Sequence, residues 1–318
     1  NSLYSMAEGN SWNTARKSSE KIGGHLVSIQ SGEENYFVYE NFGIDSNTKL
    51  TISSGYWIGL NDQDIEGEWN WISGEEVQWT HPGWGYGEPN GNGDHVWVKA
   101  GFDNPNMTLD EIINYYTNRS NDPWDFRSQG PFWDDTWESG EGTNYGVAEI
   151  PFVRRGDSAY VIVEGPTWEE AEANANKLGG HLVTINDADE NNFLYGFKEE
   201  NELGKWIGLT DKNNEGQWEW SSGEVSSFTA WDLNQPDDHV DPHNPNGQDF
   251  VSFDWDGGSL SEWDDKSDHA VWNLKGIAEI KLDPNNAPSG SPTISGSLEI
   301  GETLTADISS INDADNFQ

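Results

Sequence analysis

Five stretches of this chain occur twice, in the same order, and that repeat constrains the fold more than any other feature. Gly23-Gly24-His25-Leu26-Val27-Ser28-Ile29 returns as Gly179-Gly180-His181-Leu182-Val183-Thr184-Ile185, and Trp57-Ile58-Gly59-Leu60 as Trp206-Ile207-Gly208-Leu209. Glu66-Gly67-Glu68-Trp69-Asn70-Trp71 returns as Glu215-Gly216-Gln217-Trp218-Glu219-Trp220, and Trp133-Asp134-Asp135 as Trp263-Asp264-Asp265. Gly146-Val147-Ala148-Glu149-Ile150 returns as Gly276-Ile277-Ala278-Glu279-Ile280. The spacing is 156 residues from Gly23 to Gly179, 149 from Trp57 to Trp206 and 130 from Trp133 to Trp263. The first copy therefore carries 7 extra residues before its Trp-Ile-Gly-Leu and 19 more before its Trp-Asp-Asp. Repeats of this length are tandem domains, not a solenoid of short units. A length of 318 residues agrees with two domains of ordinary size.

The copies read as residues 1–150 and 157–283, joined at Arg154-Arg155-Gly156-Asp157. Asp283 to Pro292 is a linker by its Pro, Asn, Gly and Ser content. Thr293 to Gln318 alternates like β-strands, so 284–318 reads as a linker and the start of a truncated β-domain. The chain opens Asn-Ser-Leu-Tyr, without Met or a signal peptide, and is expected to be a mature product or an excised fragment.

Each copy begins with a short strand, Leu3–Met6 or Ala159–Val163, and then a helix. In copy two Thr167 and Glu170 form a capping pair, Trp168, Ala171, Ala175 and Leu178 follow at helical spacing, and Gly179 ends the helix. Trp12, Ala15, Ile22 and Gly23 play the same parts in copy one. A second helix follows, capped by Ser31 and Glu34 in copy one and carrying Phe193, Leu194 and Phe197 in copy two. Short aromatic strands between Gly, Asn and Asp turns complete each copy. The expected class is α+β. Residues 101–130 are an insertion of copy one with a helix-like run, Leu109–Tyr116, expected to form a lid or to shape the site.

Charge excludes several partners. With 57 acidic and 16 basic residues, the formal net charge is −41. Phosphate recognition needs clustered Lys and Arg, so nucleic acid is excluded, and an anionic membrane surface is disfavoured. No apolar run reaches the length of a membrane span, so insertion is not expected. The 18 Trp residues argue against a disordered acidic chain. The absence of cysteine removes disulfides and thiol chemistry. So many like charges oppose compaction, and divalent cations would relieve them.

The placement of particular oxygens sharpens that expectation. Calcium takes six to eight hard oxygen ligands. Glu88-Pro89-Asn90 sets two oxygen-bearing side chains either side of a proline, and a cis bond there would turn both to one side. Asp134 and Asp135 are adjacent carboxylates anchored by Trp133, and close carboxylates repel unless a cation or a proton joins them. Trp57, Trp206, Trp69, Trp71, Trp218 and Trp220 are assigned to the core, and His25 and His181 to structural turns. Asn106-Met107-Thr108 and Asn118-Arg119-Ser120 match glycosylation acceptors.

Two helices, Trp-Ile-Gly-Leu, a Glu-Pro-Asn or Gln-Pro-Asp triplet and then Trp-Asp-Asp resemble the C-type lectin-like domain over nearly all of residues 1–283. The family usually carries disulfides; this chain has none, as some bacterial members do. The resemblance implies two helices against small antiparallel sheets, with a long loop that holds Ca²⁺. It implies a ligand site at Glu88, Asn90, Asp134 and Asp135 in copy one and at Gln235, Asp237, Asp264 and Asp265 in copy two. Of these, Glu88, Asn90, Asp134, Gln235, Asp237 and Asp264 would also meet the sugar. A further family ligand, a Glu before a loop-end Asp, is replaced by Gly93 before Asp94 and Gln248 before Asp249. A second, structural calcium would fall to Asp62, Glu66 and Asp94, and to Asp211, Glu215, Asp238 and Asp249, the fuller set lying in copy two.

The function so implied is calcium-dependent carbohydrate binding, as a lectin or adhesin module. In the family Glu-Pro-Asn goes with mannose-like sugars and Gln-Pro-Asp with galactose-like ones, for which Trp231 or His239 could offer a stacking face in copy two. Glycans or glycoproteins would be the partners, and the chain part of a larger secreted or cell-surface protein. The alternative is a calcium-stabilised adhesion module contacting protein, ice or mineral without sugar. An enzyme is not expected. Adjacent acids behind one tryptophan do not flank a scissile bond, and the serine elbow, His-Glu-x-x-His and phosphate-loop motifs are absent.

Overall fold

The computed structural model describes residues 2–43, 55–78, 84–85, 87–99, 132–138, 144–199, 202–240, 245, 247–254, 262–270, 273–282, 293–295 and 305–307. The insertion at 101–130, with both glycosylation acceptors, lies outside them.

The first copy runs β1 (Ser2–Glu8), α1 (Trp12–Lys21), β2 (His25–Leu26), α2 (Gly32–Val38), β3 (Tyr56–Asn61), β4 (Asn70–Trp71), β5 (His95–Lys99), β6 (Phe132–Thr136) and β7 (Tyr145–Pro151). The second runs β8 (Val153–Arg155), β9 (Ser158–Val163), α3 (Trp168–Lys177), β10 (His181–Leu182), α4 (Ala188–Tyr195), β11 (Lys205–Thr210), β12 (Glu219–Trp220), β13 (Phe250–Asp254), β14 (Glu262–Lys266) and β15 (Lys275–Lys281). The first sheet is ordered β1-β7-β3-β5-β6, with β2 on β7 and β4 on β3. The second repeats it as β9-β15-β11-β13-β14, with β8 added beside β9. This is the α+β architecture expected. Further along, β16 (Thr293–Ser295) pairs antiparallel with β17 (Thr305–Asp307), the strand pattern foreseen for the tail.

The caps fall where the pattern placed them, at Thr167 and Ser31, but their acids do not close a reciprocal box. The reciprocal capping box belongs to α1, where Ser11 accepts from the Thr14 N–H and Thr14 Oγ1 accepts from the Ser11 N–H. In α3 the Thr167 hydroxyl accepts from Glu170 N, while the Glu170 carboxylate reaches only that hydroxyl. In the second helices Glu34 and Glu190 reach one residue upstream, to the backbone N–H of Gln30 and Asn186. Gly23 and Gly179 close the first helices at φ +82° and +77°, which glycine adopts without steric cost.

The tryptophans lie inside. Trp12 and Trp168 are buried and donate their indole N–H to the carbonyls of Ile58 and Ile207 at 2.8 and 2.7 Å. This pins each first helix to the strand carrying Trp-Ile-Gly-Leu. Trp57, Trp71, Trp206 and Trp220 are buried, with Trp69 and Trp218 packed alongside. His25 bonds the Leu26 carbonyl and His181 the Glu172 carboxylate, local structural contacts.

The joint is not a loop. Arg154 and Arg155 belong to β8, which turns at Gly156 and pairs with β9. Glu164 N donates to Lys21 O at 2.9 Å, tying copy two to the end of α1. One apolar cluster runs through both copies, from Trp12, Ile22 and Ile150 to Val161, Trp168 and Ile280. Among the described residues no helix is long and apolar enough to cross a membrane.

Candidate functional site

The site is built on the tryptophan of Trp-Asp-Asp. Trp133 is fully buried and donates its indole N–H to Asn35 Oδ1 on α2 at 3.1 Å; Trp263 does the same to Asn191 on α4 at 2.9 Å. Trp84 and Trp231 form isolated bridges to these two residues and pack edge-on against them. From there the triplet loop departs. Gly85 N donates to Trp133 O and Glu88 N to Gly85 O; Asp232 N donates to Trp263 O and Gln235 N to Asp232 O. The Glu88–Pro89 and Gln235–Pro236 bonds are both cis.

The second aspartate clamps the loop. Asp135 accepts the N–H of Asn90 on one oxygen and of Asn92 on the other, both at 2.8 Å. Asp265 accepts Asp237 N at 3.0 Å and Asp238 N at 2.8 Å. Such charge-assisted bonds are stronger than neutral ones. Burial pushes the Asp135 carboxyl up, but the loop N–H groups and a hydrogen bond with Glu88 outweigh it and leave the group low. Burial wins at Asp265, whose carboxyl is raised.

In copy one the acids converge. Glu88, Asp134 and Asp135 each bring a carboxylate oxygen within 4.8 Å of the others, the one such trio among the described residues. Glu88 is pushed up to about 7 by burial, by its hydrogen bond with Asp135 and by the charges of Asp134 and Asp135. Its Oε2 is buried with no hydrogen-bond partner. A cavity of about 350 Å³ opens here, edged by Glu88, Asn90 and Asn92 of the loop, Trp97 of β5, and Asp134 to Trp137 at the end of β6. Crowded hard oxygens and an orphaned buried carboxylate oxygen fit a divalent cation. Trp137 stands at the rim, 72% exposed.

The corresponding acids of copy two are arranged differently. Asp264 is ion-paired with Lys266, two residues along the same strand. Asp237, Asp264 and Asp265 do not form a trio of the kind seen in copy one. Gln235 Oε1 is buried without a partner. Trp231 spends its ring on Trp218 and Trp263, and His239 is exposed with its N–H on Gln248.

The inner acids follow the third strand of each copy. Asp62 accepts Gly67 N at 2.8 Å and donates its own N–H to Asp94 O; Asp211 accepts Gly216 N at 2.9 Å and donates to Asp249 O. The other carboxylate oxygen of Asp62 and of Asp211 is buried and unpartnered. Glu66 lies against the loop at Gly91. In copy two Asp211, Glu215 and Asp249 are all raised, first by burial and then by one another and Asp238. Asp238 accepts Gln248 N, and a side chain at Gly247 would collide with its carboxylate at 1.8 Å.

Pattern reading missed Asn92, Thr136, Trp137 and Lys266. Both Trp137 and Lys266 lie just past Trp-Asp-Asp, Lys266 as the last residue of β14 and Trp137 one residue beyond β6.

Comparison with known proteins places both copies. The Lectin C-type domain family matches residues 8–123 and 164–271. The C-type mannose receptor 2 of Mus musculus is 26% identical over 240 residues, covering 73% of this chain. This chain spans only 15% of that receptor. The hepatic lectin of Gallus gallus is 38% identical over 79 residues, 24% of this chain and 37% of its own. A perlucin-like protein of Mytilus galloprovincialis is 32% identical over 106 residues, 32% of this chain and 63% of its own. Among solved structures, the mouse scavenger receptor C-type lectin carbohydrate-recognition domain is 24% identical with a TM-score of 0.36, covering 42% of this chain and 95% of its own. The C-type lectin CEL-I of Cucumaria echinata is 25% identical with the same TM-score, covering 42% and 96%. These relatives are eukaryotic and lend no support to a bacterial likeness.

Proposed function

This chain belongs to the C-type lectin domain family, and from that membership we propose that its first copy binds carbohydrate in a calcium-dependent way, as a module of a secreted or cell-surface protein. The convergence of Glu88, Asp134 and Asp135 on one point carries the reading. Glu88, Asn90, Asp134 and Asp135 would hold the ion, which supplies open coordination positions for two neighbouring sugar hydroxyls. The side chains complete the recognition. Carboxylates of Glu88 and Asp134 accept from those hydroxyls, and the Asn90 amide donates to them. Asp135 fixes the loop through the Asn90 and Asn92 N–H groups, so both triplet side chains are set before a ligand arrives. Trp137 offers an apolar ring at the cavity rim, suited to the C–H face of a sugar. The Glu-Pro-Asn order favours mannose-like ligands. Inner ions at Asp62, Glu66 and Asp94, and at Asp211, Glu215, Asp238 and Asp249, would stiffen the loops; the unpartnered Asp62 and Asp211 oxygens support this.

A glycan array probed with the full chain tests the proposal. Binding should vanish in chelator, return with calcium, and be lost in Asp134→Ala. Binding indifferent to chelator, or no glycan bound with calcium present, would replace it with the adhesion reading.

A further inference from the structure

The two outer sites differ at one position that neither triplet nor Trp-Asp-Asp includes. β6 continues from Asp135 to Thr136, and β14 from Asp265 to Lys266. Side chains two apart on a strand share a face, so residue 136 stands beside Asp134 and residue 266 beside Asp264. Thr136 lines the copy-one cavity as a neutral hydroxyl. Lys266 instead lays its ammonium on the Asp264 carboxylate, and only 7% of the residue is exposed. A lysine is almost never buried so far without an anionic partner.

We propose that Lys266 is the resident cation of the second copy, occupying with its own ammonium the electrostatic place that a divalent ion takes in the first, so that the Gln235-Pro236-Asp237 loop works without metal. Four observations bear on this. Lys266 is paired to a carboxylate that the metal would need. The triplets exchange acid and amide, Glu88 and Asn90 against Gln235 and Asp237, so their charge is equal and Lys266 is what sets the two sites apart. Carboxylates converge as a trio in copy one and not in copy two. The loop is nevertheless held, because Asp265 accepts Asp237 N and Asp238 N just as Asp135 accepts its pair. An ammonium already bonded to Asp264 repels a divalent ion brought to the same carboxylate, and its positive charge lowers the net negative charge that would attract that ion. The outer site of copy two is then a preformed polar surface whose contacts do not depend on calcium.

The inference goes beyond the proposed function and is tested apart from sugar binding, by calcium titration calorimetry of the full chain with terbium luminescence as a second count. Gln235→Ala combined with Asp237→Ala, which removes both triplet donors and keeps the Asp264–Lys266 pair, should leave the number of bound ions unchanged. Lys266→Thr, which installs the copy-one residue, should add one ion. Thr136→Lys should remove one ion from copy one. Loss of an ion in the double Ala variant overturns the inference, as does an unchanged count in a folded Lys266→Thr protein. If Lys266→Thr fails to fold, the double Ala variant still decides. Glu88→Ala combined with Asn90→Ala is the control for the first copy. An unchanged count there would sink the calcium reading of copy one while leaving the Lys266 result to stand or fall by itself.

Discussion

The same loop, clamped in each copy by one aspartate through two backbone N–H groups, is finished in two ways. In copy one three carboxylates crowd together and Glu88 is held near neutrality on the pH scale; in copy two Lys266 sits on Asp264. The clamp is common: Asp135 and Asp265 each hold two loop N–H groups beneath a buried tryptophan. The lesson is that the scaffold fixes where the loop sits, while one residue beside the acids decides how their charge is balanced. Motifs that look equivalent in sequence need not be equivalent in electrostatics.

The largest effects are expected at the tryptophans that both copies share. Trp133→Ala and Trp263→Ala should each cost about 3–5 kcal/mol, the range for truncating a buried large aromatic. Chemical denaturation should show equal losses in the two copies; a much smaller loss in either would mean its loop does not rest on that ring. Next comes the clamp. Asp135→Ala and Asp265→Ala each leave two backbone N–H groups without their carboxylate, at about 1.5–3 kcal/mol per charge-assisted bond. Amide exchange at Asn90, Asn92, Asp237 and Asp238 should rise accordingly.

The third test separates the copies by pH. The Glu88 carboxyl is raised from 4.5 to about 7, so without metal the folded state binds this proton more tightly than the unfolded one. The stabilisation is complete below 4.5 and is lost as pH rises through about 7. Melting curves in chelator should show that loss, and Glu88→Gln should remove it. With calcium the sense reverses, since a proton on Glu88 competes with the ion and cation affinity should weaken as pH falls below about 7.

The smallest expected effect concerns a pair outside the loop. His95 stacks on Trp12 with both ring nitrogens buried and unpartnered, whereas Phe250 fills the same place against Trp168. Burial lowers the His95 pKa, so its charged form is disfavoured in the fold and stability should fall as pH drops through the ordinary histidine range. His95→Phe should stabilise copy one by about 1–3 kcal/mol, the penalty for a buried unsatisfied polar group. Unchanged denaturation midpoints would show that the nitrogens are satisfied in solution.

Much of this was legible in the residues. The repeat announced two domains because the blocks sit at buried turns and strands whose geometry admits few substitutes. The family resemblance groups Glu88, Asn90, Asp134 and Asp135, and three of the four bring their carboxylates together in the fold. Lys266 could not be weighed from the motif, because its meaning depends on β14 presenting it on the side of Asp264, and the pattern ends one residue earlier. Trp137 belongs to no repeated block, and its exposure at the rim follows from β6 ending just before it. The cap of α3 was half right because Glu170 had the correct spacing but its side chain found the hydroxyl instead of the backbone.

Gly23 carries a last consequence. A Cβ there would lie 2.2 Å from Ile162 O, in the other copy, while the same position in copy two, Gly179, faces open space. With the Lys21–Glu164 bond and a continuous apolar seam beside it, the joint behaves as a weld and not as a swivel. If both loops bind, a target meets them at one fixed spacing, and one with the wrong pitch can engage only one of them at a time.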